Sequence, residues 1–108
     1  MKLTGLIEHL VIYLRRIIMQ DIIYGIVNSV IDGDTFIINV TKTNKTSQYN
    51  YNKWERIRII NLDASELGSL GGFRDKVNLE RALQGKKVSC SVQTKDTYGR
   101  IVADVKII

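Results

Sequence analysis

Residues 22–41 read IIYGIVNSVIDGDTFIINVT, and this stretch decides the fold. Ile, Val and Tyr dominate Ile22 to Ile31, which predicts a first β-strand. Asp32-Gly33-Asp34 is typical of a tight turn, because Asp and Gly both favour turn conformations. Thr35 to Thr41 is again rich in β-branched and apolar residues, so the two strands are predicted to pair as a hairpin.

Three further strands and one helix are predicted after the hairpin. Lys42 to Lys53 is polar and has no apolar periodicity, which predicts an exposed loop. The third strand is predicted at Trp54 to Leu62, and a mobile glycine-rich connection follows at Leu67 to Gly72. A helix is predicted over Phe73 to Gln84, with Gly85 as its stop signal. The last two strands are predicted at Val88 to Thr94 and Ile101 to Ile107. Five short strands with a helix between the third and fourth predict a mainly β, α+β domain built as an OB-type barrel.

Residues 1–20 are predicted to form an extra N-terminal helix ahead of the barrel domain, which spans 21–108. Apolar residues recur there at steps of three and four: Leu3, Ile7, Leu10, Leu14 and Ile17. Packing on the domain's own core is favoured, a homodimer contact stays open, and membrane contact is not favoured. Charges interrupt the apolar run and no Ala-x-Ala pattern follows, so a cytoplasmic location is favoured over secretion.

Composition narrows the chemistry that one small domain of 108 residues can perform. Sixteen Lys and Arg against 11 Asp and Glu give a formal charge of +5, which favours polyanionic partners such as nucleic acid. The sequence has one Cys and one His. An intramolecular disulfide and a metal site built from several Cys or His side chains are therefore excluded. The chemistry must rest on carboxylates, arginines, lysines and hydroxyls.

Three polar clusters carry the candidate chemistry. Asp32 to Thr35 is compatible with turn formation or with hard oxygen ligands for calcium. Arg58 to Glu66 is a strand that ends in an acidic turn, compatible with an anion clamp beside a metal ligand and a general base. Asp96 to Arg100 is a hairpin turn when considered alone. No single cluster distinguishes a structural from a functional role.

Together the clusters resemble the thermonuclease family, the staphylococcal nuclease-like domains. The resemblance lies in Val30-Ile-Asp-Gly-Asp-Thr35, in Arg58 to Glu66, and in Tyr98-Gly-Arg100 followed by Ile-Val-Ala. Their order, spacing and strand context agree with the family over Ile22 to Val105. The resemblance implies a calcium-dependent phosphodiesterase that cuts DNA, RNA or both with little sequence specificity.

The resemblance also implies roles for individual residues. Calcium would be bound by two carboxylates and one backbone oxygen, those of Asp34, Asp63 and Ala64. Asp32 would lie close to the ion without binding it directly. The catalytic side chains would be two arginines that grip the scissile phosphate and a glutamate that orients or deprotonates water: Arg58, Arg100 and Glu66. Contacts to the substrate would come from Thr35 and Tyr98.

The sequence departs from the family pattern at two points. Ser65 replaces a usual proline, and family members usually continue past the fifth strand into one or two helices, whereas this sequence stops at Ile108. We therefore expect the N-terminal helix to cover part of the barrel or to recruit a second chain to its uncovered face. The alternative function is a non-catalytic OB-fold module that holds nucleic acid or a protein.

Other aromatic and basic residues have two interpretations each. Trp54 is expected to pack at a barrel edge, the more usual role, rather than to form a platform for a base. Arg56 shares a strand face with Arg58 but lacks the family's spacing to the acidic turn. Tyr49 and Tyr51 lie among lysines and suit either contact with a single strand or a solvated loop, and the loop is favoured.

Overall fold

The computed structural model describes residues 7–10, 20–46, 49–60 and 70–108, and of residues 70–74 the backbone alone. Residues 7–10 are helical, as predicted for the N-terminal segment. The remaining predictions for that segment lie outside the described residues, and so do those for Asp63, Ala64, Ser65 and Glu66. Within the described part of the chain, no helix is long and apolar enough to cross a membrane.

Five strands form a closed barrel with the neighbour order β1-β2-β3-β5-β4. The strands are β1 (Ile22–Asp32), β2 (Thr35–Asn44), β3 (Trp54–Ile59), β4 (Lys87–Lys95) and β5 (Ile101–Ile107). β3 and β5 pair in parallel, and the other neighbours pair antiparallel. Helix α1 (Leu70–Leu83) lies between β3 and β4 in the chain. The predicted OB-type barrel with a helix between the third and fourth strands is confirmed.

The interior of the barrel is filled by alternate residues of each strand. In β3, Glu55 and Ile57 are buried while Trp54, Arg56 and Arg58 are exposed, as the period of two requires. Apolar side chains from every strand and from α1 build the core: Ile23, Val27, Val30, Phe36, Ile38, Ile57, Leu83, Val88, Cys90, Val92, Ile101 and Ala103. Each large side chain in this core contributes about 1.5–3 kcal/mol through burial.

Cys90 is a packing residue of this core, as the sequence analysis predicted. Burial raises the pKa of its thiol to about 12. The side chain therefore stays protonated at neutral pH and behaves as a small apolar group.

Helix α1 packs against β1 and is fixed there at its C-terminal end. Leu79 and Leu83 lie against the core. Just beyond the helix, the Gly85 N–H donates to the Val27 carbonyl at 3.0 Å, and the Val27 N–H donates to the Lys86 carbonyl at 2.9 Å. These bonds tie the helix end to the middle of β1. The helix ends at Leu83, just before Gly85, as predicted.

The ends of β2 and β3 each differ from the prediction by three residues. β2 continues to Asn44 because Ile22 and its neighbours in β1 supply partners for a longer ladder, so the loop predicted from Lys42 begins later. β3 ends at Ile59, and Ile60, predicted to lie within the strand, is in a turn although its N–H still donates to the Ala103 carbonyl at 2.9 Å. Pairing with β5 ends at Ala103, so the ladder cannot extend β3 further.

Helix α1 begins at Leu70, so Gly71 and Gly72 are helical rather than part of a mobile connection. A glycine in a helix costs about 1 kcal/mol relative to alanine. Packing of the helix against β1 outweighs this local preference, because tertiary contacts contribute most of the stability of a short helix.

The segment between β2 and β3 is anchored to the barrel through Asp21, a residue that the sequence analysis missed. Asp21 is buried, and it accepts hydrogen bonds from the Thr46 N–H at 2.7 Å and from the Tyr51 hydroxyl at 2.5 Å. Lys95 Nζ lies 5.4 Å from the ring centroid of Tyr49 and 5.5 Å from that of Tyr51. The favoured solvated loop is therefore wrong for Tyr51, whose ring packs against the core.

The close approach of β1 and β2 at Gly25 gives a test of the packing. A Cβ at this position would lie 2.5 Å from the Asn39 carbonyl oxygen and 3.1 Å from Ile38 Cδ1. Gly25→Ala should lower the free energy of unfolding by about 1–3 kcal/mol, because a backbone carbonyl cannot give way as a flexible side chain does. Urea denaturation measures the change. Ser89→Ala on the neighbouring strand is the control, and equal midpoints for both variants would contradict this packing.

Candidate functional site

The candidate site lies where the β1–β2 turn and the β4–β5 turn meet at β3. Thr35, the first residue of β2, pairs with Arg58 of β3. Arg58 pairs in turn with Val102 of β5, two residues after Arg100. The parallel β3–β5 ladder therefore brings Arg100 beside Thr35, although 65 residues separate the two in the chain.

A chain of polar contacts links the two arginines predicted to grip phosphate. Arg58 Nε lies 3.5 Å from Asp34 Oδ2. The Thr35 hydroxyl donates to Asp34 Oδ1 at 2.8 Å and accepts from Arg100 Nη1 at 3.4 Å. Asp34 and Thr35 thus lie between Arg58 and Arg100, with one oxygen acceptor facing each guanidinium. Guanidinium groups suit phosphate oxygens, because they stay protonated and donate several hydrogen bonds from one plane.

Thr35 is almost completely buried, with 2% of its surface exposed. Its hydroxyl is engaged with Asp34 on one side and Arg100 on the other. The structure therefore shows a contact that orients two site residues, and the direct substrate contact implied for Thr35 stays a prediction.

The pKa values of the two carboxylates in the β1–β2 turn, Asp32 and Asp34, are shifted in opposite directions. Burial raises the pKa of Asp32, and the neighbouring Asp34 carboxyl raises it further. Burial also raises the pKa of Asp34, but hydrogen bonds from Asp32 and Thr35 and the charge of Arg58 outweigh it, so the net pKa of Asp34 is lowered. The Asp34 N–H also donates to Asp32 Oδ1 at 3.2 Å, which holds the two residues in a tight turn.

Asp96 builds the turn that carries Arg100. Its Oδ1 accepts the backbone N–H groups of Tyr98 and Arg100, each at 2.9 Å, and its Oδ2 accepts Arg100 Nε at 2.7 Å. Gly99 adopts φ +79°, a conformation that glycine accepts without strain. Nε of Arg100 is bound to Asp96, and the terminal nitrogen Nη1 is the atom that contacts Thr35.

Arg56 fixes the same turn to β3 from the other side. Its Nη2 donates to the Tyr98 carbonyl at 2.9 Å. The Tyr98 side chain is 73% exposed, and its ring centroid lies 5.6 Å from Arg100 Cζ. Tyr98 therefore stands in water at the rim of the site, where its predicted contact with substrate remains sterically open.

The residues present fit a hard divalent cation. Asp32 and Asp34 supply carboxylate oxygens, the ligand type that calcium prefers. After burial, the neighbouring Asp34 carboxyl contributes to the raised pKa of Asp32, and a cation bound between the two carboxylates would relieve that repulsion. Among the described residues, no group of three or more His, Cys, Asp or Glu side chains is gathered for a metal. The other implied ligands, Asp63 and Ala64, lie outside those residues.

The last described residues of β3 lie beside the backbone of Asp34. The Ile59 N–H donates to the Asp34 carbonyl at 2.9 Å, and Ile60 is the last described residue before the gap. In the sequence, the acidic segment predicted to complete the site follows directly after this residue.

Six of the nine sequence-predicted site residues are described and gathered at this end of the barrel: Asp32, Asp34, Thr35, Arg58, Tyr98 and Arg100. The sequence analysis missed the roles of Asp96 and Arg56. The four-residue step from Asp96 to Arg100 across a turn could have indicated the ion pair. The contact of Arg56 with a main-chain carbonyl leaves no trace in the sequence.

No protein-family model matches this chain, and no curated protein compared with it matches either. The resemblance to the thermonuclease family therefore rests on the sequence motifs.

Removal of the Asp96 charge tests how the turn is held. Hydrogen bonds from Arg100 and Tyr98 lower the pKa of Asp96 despite the opposing effect of burial. Asp96→Asn should therefore cost about 1–2 kcal/mol of unfolding free energy at neutral pH. The difference from the parent protein should shrink as the pH falls below about 4, because a group with a lowered folded pKa loses its stabilising effect on protonation.

Asp104→Asn, at an exposed position of β5, is the matched control for this change. Urea denaturation at several pH values gives the comparison. A difference between Asp96→Asn and the parent protein that stays constant down to pH 2 would contradict the ion pair.

Proposed function

We propose that this protein is a calcium-dependent nuclease that hydrolyses phosphodiester bonds of DNA, RNA or both, as a member of the thermonuclease family. The observation that carries the proposal is the convergence of Arg58 and Arg100 on the Asp34–Thr35 pair. Each arginine comes from a different strand or turn, so local sequence alone does not bring them together. The OB-type barrel and the net charge of +5 are consistent with a nucleic-acid substrate.

Arg58 and Arg100 would bind non-bridging oxygens of the scissile phosphate. Attack on phosphorus adds an oxygen to a centre that is already surrounded by negative charge, and that charge increases on the non-bridging oxygens. Guanidinium groups that are fixed before the reaction stabilise this charge without reorganising. The Asp96 carboxylate and the Tyr98 carbonyl would contribute indirectly, because they hold Arg100 and its turn in place.

Calcium, when bound, would supply Lewis-acid stabilisation of the phosphate charge. Asp34 and Asp63 would hold it with their carboxylates and Ala64 with its backbone oxygen, while Asp32 would support the site from alongside. Thr35 would orient the Asp34 carboxylate through its hydroxyl, which donates to Oδ1.

Glu66 would take a proton from the attacking water. The water oxygen forms the new bond to phosphorus, and the bond from phosphorus to the leaving oxygen breaks. General-base assistance of this kind contributes typically about 10²–10⁴-fold to the rate.

A non-catalytic OB-fold binding module is the second candidate. The observation that favours it is the exposure of Trp54 and Tyr98 on the same side of the barrel as the arginines, since exposed aromatic rings bind unpaired bases without cutting them. Oligonucleotide binding with no cleavage product at saturating calcium would favour the module.

Metal removal is the first test of the proposed reaction. The parent protein should cut single-stranded DNA or RNA with added calcium and lose that activity in EDTA. Asp34→Asn should abolish cleavage across a calcium titration, because it removes a metal ligand and the partner of Arg58. Asp104→Asn, which also removes one negative charge but on β5, should retain parental activity. Cleavage that persists in EDTA would contradict the role of calcium.

A second test concerns the phosphate clamp. Arg100→Ala should reduce the cleavage rate at saturating substrate by roughly 10²–10³-fold, the usual cost of removing one group that stabilises developing charge. Arg81→Ala removes an exposed arginine from α1 and should leave the rate unchanged. Near-parental cleavage by Arg100→Ala, with its fold verified by circular dichroism, would refute the clamp.

A further inference from the structure

The outer surface of β3 carries a group of basic and aromatic side chains that leads away from the candidate site. Trp54, Arg56 and Arg58 alternate with the buried Glu55 and Ile57, so the three point outward on one side of the strand. We name these three residues the β3 face. One end of this face, Arg58, belongs to the candidate site, and the other end, Trp54, lies at the start of the strand.

Trp54 does not pack at the barrel edge as the sequence analysis expected. Its surface is 49% exposed, and Lys53 Nζ lies 6.0 Å from its ring centroid. A large ring that remains half in water contributes little to the core. Such a ring, with a lysine beside it, has the chemistry that stacks an unpaired base and attracts its phosphate.

The residues of β2 that pair with the β3 face carry no negative charge, and the carboxylate that opposes this face is Asp34, which pairs with Arg58 at the site end. Thr35, Ile37 and Asn39 of β2 stand opposite Arg58, Arg56 and Trp54 respectively, and none of the three is acidic. The acid within β3, Glu55, points to the other side and accepts hydrogen bonds from Asn52. The β3 face therefore combines two guanidinium groups and one indole ring, and of the two arginines it is Arg58 that is paired with a carboxylate, that of Asp34.

The spacing of these groups suits an extended polyanion. Side chains two residues apart on a strand are separated by about 6.6 Å, so Arg56 and Arg58 lie one backbone step apart for an extended nucleic-acid strand. Arg56 gives its Nη2 to the Tyr98 carbonyl, and a guanidinium has further donors for a phosphate. Flat rings recognise unpaired bases, because the base faces are hidden within a duplex.

We infer that the β3 face binds the continuation of a single-stranded nucleic acid beyond the candidate site, with a phosphate at Arg56 and a base stacked on Trp54. This inference deepens the proposed function and rests on it for the anchoring of the strand at Arg58. Binding along the β3 face requires neither calcium nor cleavage, so it is measured separately from the reaction.

Trp54 is the single tryptophan of the sequence, and its fluorescence reports directly on this contact. In EDTA, an eight-nucleotide single-stranded DNA should quench the fluorescence of the parent protein, since a stacked base changes the surroundings of the indole. A dinucleotide should quench it much less, because it reaches Arg58 without reaching Trp54. Polyglutamate should leave it unquenched, because it supplies negative charge without bases.

Variants and matched controls separate stacking from charge. By fluorescence anisotropy of the labelled eight-nucleotide strand, Trp54→Ala should weaken binding about tenfold, the effect of one lost base stack. Arg56→Ala should reduce the slope of log affinity against log salt by about 0.7, the contribution of one phosphate on a single strand, and Arg56→Lys should restore it. Tyr24 and Lys42 form a similar pair of an aromatic ring and a lysine away from the β3 face, with Lys42 Nζ 5.6 Å from the Tyr24 ring centroid. Tyr24→Ala and Lys42→Ala should therefore change neither the affinity for the strand nor the salt slope.

Each outcome bears on one proposal. Unchanged binding by Trp54→Ala, quenching by polyglutamate equal to that by DNA, or no binding of the eight-nucleotide strand would overturn the β3 face as a single-strand site. A different set of results would uphold the β3 face and refute the nuclease. In that set, the eight-nucleotide strand quenches the parent protein and Trp54→Ala binds it about tenfold more weakly, while the parent protein shows no cleavage at saturating calcium.

Discussion

The parallel pairing of β3 with β5 is the constraint on which the candidate site depends. Ile57, Arg58 and Ile59 pair with Ile101, Val102 and Ala103, and this ladder closes the barrel between two antiparallel hairpins. Closure fixes the β4–β5 turn beside the start of β2, so Arg100 reaches Thr35 across 65 residues of sequence. The buried side chains of the ladder, Ile57, Ile101 and Ala103, couple the position of the site to the core.

The fold was largely predictable because local signals and burial agree along most of the chain. Alternation in β3, the Asp-Gly-Asp turn after β1 and Gly85 after α1 each indicated an element that the structure contains. The errors lie where tertiary pairing decides. β1 extends β2 to Asn44 by supplying ladder partners, and packing on β1 outweighs the low helix propensity of Gly71 and Gly72. A single sequence does not show which partner will be available at such positions.

The charged groups of the candidate site could be predicted from the sequence, whereas the residues that hold them in place could not. The motifs indicated Asp34, Arg58 and Arg100 because phosphate chemistry restricts the residue types that can serve. Arg56 supports the site through a main-chain carbonyl, for which any residue type in the turn would suffice. Trp54 was expected to pack, because most tryptophans bury much of their surface, yet its environment depends on which side of β3 faces water. The even spacing of Trp54 from Arg56 and Arg58 could have indicated the exposed side, because alternate residues of a strand share one face.

We propose that Arg58 and Arg100 act on one phosphate as a unit that the closed barrel assembles. A double-mutant cycle with Arg58→Ala and Arg100→Ala, measured as the rate of calcium-dependent cleavage, tests it most directly. Residues that stabilise the same charge are strongly non-additive, so the double variant should lose far less than the product of the two single losses. Rate losses that multiply would show that the two arginines act independently and would contradict the account.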